Sequence, residues 1–262
     1  MLNYFDIHSH LNFFQFDEDR EQIIAEMKKR GFGTITVGTD LTTSGEAIAL
    51  AEKHENFYAA IGLHPMDTIQ GFSPTAFEAL ISHPKVVAVG ECGLDYNRLA
   101  GDTEASKLVQ KGIFEQQIEL AVAHDKPLMI HCREAYVDTL EIIKSRKAIH
   151  GDKLRGNFHF FVHSIEVARQ CFDLGFTISF TGPITFSNDY DDVVEFAPIE
   201  KIMTETDAPF AAPEPYRGKR NSPLYVEEVV KKVAAVKKLD LDMVKKKMVD
   251  NVFDHFLKKS LA

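Results

Sequence analysis

The chain has 262 residues, 45% of them hydrophobic, and a formal net charge of −9. That length can bury a substantial core and suits one α/β barrel, while the acidic balance argues against broad, nonspecific contact with nucleic acid, which needs a basic surface. No basic-then-apolar leader opens the sequence and no run nears the roughly 20 apolar residues that span a bilayer, so a cytoplasmic protein with no membrane partner is expected.

In chain order, Tyr4-Phe5-Asp6-Ile7 leads into His8-Ser9-His10. Side chains alternate faces along a strand, so His8 and His10 point the same way and can grip one metal ion together. Such a pair also arises by chance. Its weight comes from four later runs that each end in a potential ligand: Val86 to Glu91, Pro127 to His131, Asn157 to His159 and Lys201 to Asp207. Short β-rich runs that repeatedly end this way are hard to explain as core packing, and a shared site at strand ends explains them together.

Strands are predicted near 3–8, 33–38, 57–62, 86–91, 127–132, 156–161, 175–180 and 201–206, with helical periodicity over 18–30, 45–54, 106–124, 134–145, 223–239 and 241–257. This alternation predicts an α/β fold, a (β/α)8 TIM-like barrel in a single domain over residues 1–262. A doubly wound sheet would instead place a glycine-rich phosphate loop after the first strand, where this chain has His8-Ser9-His10. Cys92, Cys132 and Cys171 are an odd number without CxxC spacing, which reads as buried thiols rather than disulfides or a zinc knuckle. The Lys237-Lys238 and Lys245-Lys246-Lys247 clusters read as solvated helix faces. His54, His83, His124, His150 and His255 read as surface or packing residues.

Ligands in the order HxH, Glu, His, His, Asp resemble the TatD family of metal-dependent hydrolases, within the amidohydrolase-type barrels. The matching motifs are Asp6-Ile7-His8-Ser9-His10-Leu11, Gly62-Leu63-His64-Pro65, Gly90-Glu91-Cys92-Gly93-Leu94-Asp95-Tyr96, Ile130-His131-Cys132-Arg133, Phe180-Thr181-Gly182 with Thr185-Phe186, and Glu205-Thr206-Asp207-Ala208-Pro209. Arg217-Gly218-Lys219-Arg220-Asn221 with Pro223 completes the set. One departure is His159-Phe160-Phe161-Val162-His163-Ser164, where the family pattern His-Cys-Phe-Ser-Gly-Ser has glycine at the position of His163. The segment 97–105 matches no family pattern.

The resemblance implies two divalent metal ions: one held by His8, His10 and Asp207, the other by His131 and His159, with Glu91 bridging. Magnesium, manganese and zinc suit such imidazole and carboxylate donors equally well. It further implies cleavage of phosphodiester bonds, as a 3′-5′ exodeoxyribonuclease acting on single-stranded DNA ends and on RNA, with no obligate protein partner. Asp207 is the expected base, since a terminal carboxylate can touch both metal and nucleophile. The same site could serve another ester or amide, such as an aminoacyl-tRNA or a cyclic amide, and a noncatalytic metal- or partner-binding barrel is the alternative of another class.

Other residues carry paired readings. His64 either contacts a substrate phosphate or fixes a loop, and Arg133 either meets transition-state charge or forms a structural ion pair. Glu205, two before Asp207, is expected behind a ligand. Arg217, Lys219, Arg220 and Asn221, preceded by Tyr216, are expected to bind substrate through the nucleic-acid backbone. Phe13, Phe14 and Phe16 read as loop packing or as a stacking platform.

Overall fold

A computed structural model describes residues 2–68, 71–97, 99 and 103–257. Its strands are β1 (Tyr4–Ser9), β2 (Phe32–Val37), β3 (Phe57–Ile61), β4 (Val86–Asp95), β5 (Leu128–Arg133), β6 (Gly156–Phe158), β7 (Thr177–Phe180) and β8 (Ile202–Thr204). Each pairs in parallel with the next in one eight-stranded sheet. The helices are α1 (Arg20–Arg30), α2 (Leu41–Glu52), α3 (Pro74–Ile81), α4 (Thr103–Ala123), α5 (Tyr136–His150), α6 (Ile165–Asp173), α7 (Asp191–Phe196), α8 (Val226–Lys237) and α9 (Leu241–Val252). The expected barrel is therefore present. Part of the unmatched segment 97–105 lies outside the described residues.

Two apolar layers hold it. Ile130, Ile178, Phe180 and Ile202 face outward and pack with helix residues such as Phe114, Ile143 and Val230. Phe5, Ile35, Ala60, Val87, Met129 and Met203 come from six different strands yet form one cluster, which is possible only inside the barrel. Val249, Val252, Phe256 and Leu257, from α9 and the turn after it, join that inner cluster and plug the end where the strands begin. The interior at the opposite end carries buried polar side chains, among them His8, Glu91 and His159.

Closure depends on the seam between β1 and β8. Beyond the strand ends, Ser9 bridges to Ala208, the Asp207 N–H donates to the His8 carbonyl at 2.9 Å and the His10 N–H to that of Ala208 at 2.7 Å. Asp6 reinforces the seam from within. Its carboxylate accepts from the His8 N–H (3.1 Å), the Thr206 N–H (3.0 Å) and the Thr206 hydroxyl. Burial pushes its pKa well above the ordinary range despite those donors.

The strand register slips between Asp6 and Ser9 in β1, and again between Val89 and Cys92 in β4. Such irregularities re-aim side chains. Here they fall where the first two histidines and Glu91 leave the barrel wall. Gly93 follows with φ 133°, and a Cβ there would lie 2.0 Å from the His131 carbonyl oxygen, so only glycine lets β4 run this close to β5. The cysteines are buried and unbridged as expected, and burial pushes the Cys132 thiol up to about 12. Among the other histidines, His83 pairs with Glu52 and His150 with Glu119 on the surface, while His54 packs against Phe57 and His255 against Phe256. No helix among the described residues is long and apolar enough to cross a membrane.

Asp6→Ala would leave two backbone N–H groups without their acceptor in the seam, at about 1–3 kcal/mol for each buried donor. A loss of about 3 kcal/mol is expected in denaturant unfolding, with Asp6→Asn retaining most of the stability because it keeps an acceptor oxygen.

Candidate metal centre

The six expected ligands converge at the C-terminal ends of the strands. His8 Nε2, His10 Nε2 and Asp207 Oδ1 face one another, with His8 to His10 at 3.3 Å, His8 to Asp207 at 3.7 Å and His10 to Asp207 at 3.4 Å. Glu91 Oε2 adds a fourth corner at 3.5 Å from His8 and 3.6 Å from His10. A tetrahedral sphere with bonds near 2.0–2.1 Å has edges of about 3.4 Å. The distances among His8, His10 and Asp207, and from both histidines to Glu91, are close to such edges.

The other Glu91 oxygen serves a second cluster. Oε1 lies 2.9 Å from His131 Nδ1 and 2.9 Å from His159 Nε2, and those two nitrogens are 3.3 Å apart. Glu91 thus offers one oxygen to each group, as a bridging carboxylate must. The donor set fits two divalent ions: nitrogen atoms turned face to face in a buried pocket repel unless a cation or a proton lies between them.

Neighbouring groups decide which nitrogen each imidazole presents. His10 Nδ1 donates to the Val37 carbonyl at 2.9 Å, leaving Nε2 bare. His131 is reversed: its Nε2 lies 3.0 Å from Asp95 Oδ2, so Nδ1 is turned to the centre. His159 Nδ1 lies 3.4 Å from Glu205 Oε1, while the Glu205 oxygens accept from the Phe160 N–H at 2.7 Å and the Ser179 hydroxyl at 2.8 Å. Glu205 can group with His8 and His159 as a third ligand set, and those bonds hold its carboxylate at the far side of the His159 ring. His8 stacks on His159, ring centroids 4.0 Å apart.

Asp95 has a role that the motif match left unassigned. Its Oδ1 accepts from the Asn97 N–H, and its backbone is held at both ends by the Gln110 side chain of α4. Burial opposes its ionisation, but the hydrogen bond and charge of His131 outweigh burial and hold the carboxyl below its usual range. Period-two spacing from Glu91 along β4 could have pointed to it.

Electrostatics bind the cluster together. Glu91 is buried, which by itself favours the neutral acid, yet the charge of His159 and the hydrogen bonds from His131 and His159 hold it well below the ordinary carboxylate range. Burial likewise opposes charge on His159, and Glu91 and Glu205 overcome it, raising its pKa well above the usual value. His10 and His131 are also raised, by Asp207 and Glu91 in one case and by Asp95 and Glu91 in the other, against burial. Negative charge at the centre demands positive charge, and a divalent cation supplies it as protons do.

His64 differs. Its Nδ1 accepts from the Met66 N–H at 3.1 Å, and burial above all pushes its pKa down to about 4, so the neutral ring carries its proton on Nε2. Nε2 lies 3.5 Å from Glu91 Oε1, too far for a hydrogen bond. Although it groups with Glu91 and His131, it faces the centre as a donor.

The expected substrate contacts divide. Arg217 and Lys219 are exposed on the loop after β8. Arg220 reaches back to the Gln15 carbonyl and the Asp19 carboxylate, and Asn221 is fully buried, donating to the carbonyls of Thr206 (2.7 Å) and Phe210 (2.6 Å). Both hold the loop in place through these bonds, and Asn221, fully buried, offers no surface to a substrate. Arg133 is exposed, and its charge helps keep Asp95 ionised. His163 is exposed against the Tyr136 ring, outside the ligand cluster.

The family model for TatD related DNases matches residues 5–257. The chain belongs to the TatD family. An uncharacterised metal-dependent hydrolase of Bacillus subtilis, YabD, is 39% identical over 245 residues, covering 92% of this chain and 93% of that one. The 3′-5′ ssDNA/RNA exonuclease TatD of Salmonella typhimurium is 31% identical over 242 residues, covering 88% and 90%. Among solved structures, the TatD homologue YJJV of Escherichia coli superposes with a TM-score of 0.85 at 27% identity, covering 97% and 98%. The protein is a metal-dependent hydrolase of this family.

Two outcomes follow. Metal loading should release protons and weaken as pH falls, from above the ordinary histidine range, because raised histidine pKa values let protons compete for the same nitrogens; calorimetry in buffers of different ionisation enthalpy measures this. Asp95→Asn should lower affinity for one of two bound ions by about 10- to 100-fold while Asp207→Asn spares that ion, as read by titration with a spectroscopically visible divalent metal.

Proposed function

We propose that this protein removes nucleotides from the 3′ end of single-stranded DNA, and of RNA, by metal-dependent hydrolysis of the phosphodiester bond. The observation that carries this reading is the shared Glu91, one oxygen toward His8, His10 and Asp207 and the other toward His131 and His159. What a divalent pair supplies at such a bridge is positive charge against both the attacking and the leaving oxygen. The exonuclease activity for which the Salmonella relative is named supports the choice of substrate.

The chain's own groups divide the remaining work. Asp207 meets the histidines through Oδ1. Burial opposes its charge, but His10, His8 and His159 together hold it ionised, so Oδ2 is the oxygen left to orient a water molecule and take its proton. His64 presents a neutral Nε2–H at the mouth, placed to donate to a phosphoryl oxygen as charge develops there. Arg217 and Lys219 extend a positive edge for the phosphates that follow.

Access favours a strand end. Glu91 is only 4% exposed and sits below the rim, so a scissile bond must descend into the barrel mouth, which an unpaired terminus can do and an intact duplex cannot.

The test is hydrolysis of end-labelled single-stranded DNA with magnesium, manganese or zinc, comparing wild type with Asp207→Asn and His64→Gln. Wild type should shorten the strand from its 3′ end. Asp207→Asn should be slower by about 10²–10⁴-fold, and His64→Gln should lower kcat by about 10²-fold with metal content unchanged. Absence of nucleotide release with every metal, alongside turnover of an aminoacyl ester or a cyclic amide, would overturn the reading.

A further inference from the structure

The phenylalanines around the mouth are out of place as packing residues. The chain has 20, and among those described the ones exposed by more than a third are Phe14 at 77%, Phe210 at 49% and Phe186 at 37%. All three lie on loops that leave the C-terminal ends of β1, β8 and β7. Phe16, by contrast, is fully buried. Large exposed apolar groups gathered at one place mark a binding surface, whereas scattered ones need no explanation.

Phe210 adjoins the metal centre directly, and Phe14 lies one residue from a ring that does. The Phe210 ring stands edge-on to His10 with centroids 6.1 Å apart, and Phe13, next to Phe14, stacks on the same imidazole at 4.4 Å. The Phe210 N–H donates to the Asp207 carbonyl at 2.9 Å and its carbonyl accepts from Asn221, so its backbone is pinned on both sides while the ring faces solvent. The Arg217 guanidinium lies over the Phe186 ring, 4.0 Å from its centroid. The β7 and β8 loops bearing these two are tightly joined: the Glu214 N–H donates to the Thr185 hydroxyl, and a Cβ on Gly182 would come within 2.0 Å of the Ala211 carbonyl oxygen.

We propose that Phe210, with Phe14 on the adjoining loop, stacks the unpaired base of the terminal nucleotide beside the metal centre, and that Phe186 under Arg217 takes the next base. The inference rests on the nuclease reading and assigns its preference for single strands to these rings. Rigid aromatic faces beside exposed cations suit unpaired bases and their phosphates, because every base has a π-face and every linkage a negative charge. A paired base has its faces covered by its neighbours in the stack. The ring therefore selects unpaired ends without reading their sequence.

The experiment uses single-stranded DNA carrying 2-aminopurine at its 3′ end, bound to the Asp207→Asn enzyme with metal present so that turnover is slow. Binding should quench the probe, and adding Phe210→Ala should abolish the quench and weaken binding by about tenfold, whereas Phe210→Trp should restore both. A strand ending in a base-free sugar phosphate separates stacking from general loop damage: the Phe210→Ala penalty should shrink to less than about twofold there, a coupling between base and ring. Unchanged quenching in Phe210→Ala, or an equal penalty on both strands, would overturn the proposal. Failure of the nuclease reading looks different: wild type then cleaves no nucleic acid with any metal.

Discussion

A single buried carboxylate organises this molecule. Glu91 lies within 3.6 Å of nitrogens from His8, His10, His64, His131 and His159, residues carried on β1 and β5 or in the segments just after β1, β3 and β6. An ionised carboxylate inside a protein is tolerated only where positive charge and hydrogen bonds compensate for lost water. Around Glu91 that requirement fixes where the other ligands stand, which nitrogen each imidazole turns inward, and which groups stand behind them. Asp95 and Glu205 follow from the same demand, since each holds a histidine by its far side.

The barrel supplies the precision. Parallel strands deliver side chains to a common end, but ordinary alternation cannot bring neighbouring residues such as Ile7 and His8 to the inner core and the site together. The register slip in β1 permits it, and the one in β4 sits under Glu91. Asp207 has φ 55°, a left-handed backbone uncommon for a side-chain-bearing residue. Its N–H bond to the His8 carbonyl holds it there. Local strain of this kind persists where surrounding structure fixes it, and here the structure that fixes it is the seam closing the barrel.

Much of this was legible in the sequence because it is periodic. The eight short apolar runs, their spacing, and the His, Glu or Asp at five of their ends survive any uncertainty over boundaries, and they place all six ligands in one pocket. The register slips carry no such signature. Neither do the partners of Arg220 and Asn221: both belong to a polar loop beside the site, and their commitment to Gln15, Asp19, Thr206 and Phe210 depends on chain segments far apart in sequence. Asp95 was visible as a motif residue, but its action on His131 required the β4 and β5 register, where Gly93 pairs with His131.

The apolar plug formed by Val249, Val252, Phe256 and Leu257 has a consequence for traffic. Because it fills the end of the barrel opposite the metal cluster, the site is a blind alley with one doorway. Whatever is hydrolysed there must leave by the way it entered. Departure of product and entry of the next substrate therefore share one opening, so exchange at that doorway is coupled to turnover in a way that a site open at both ends would avoid.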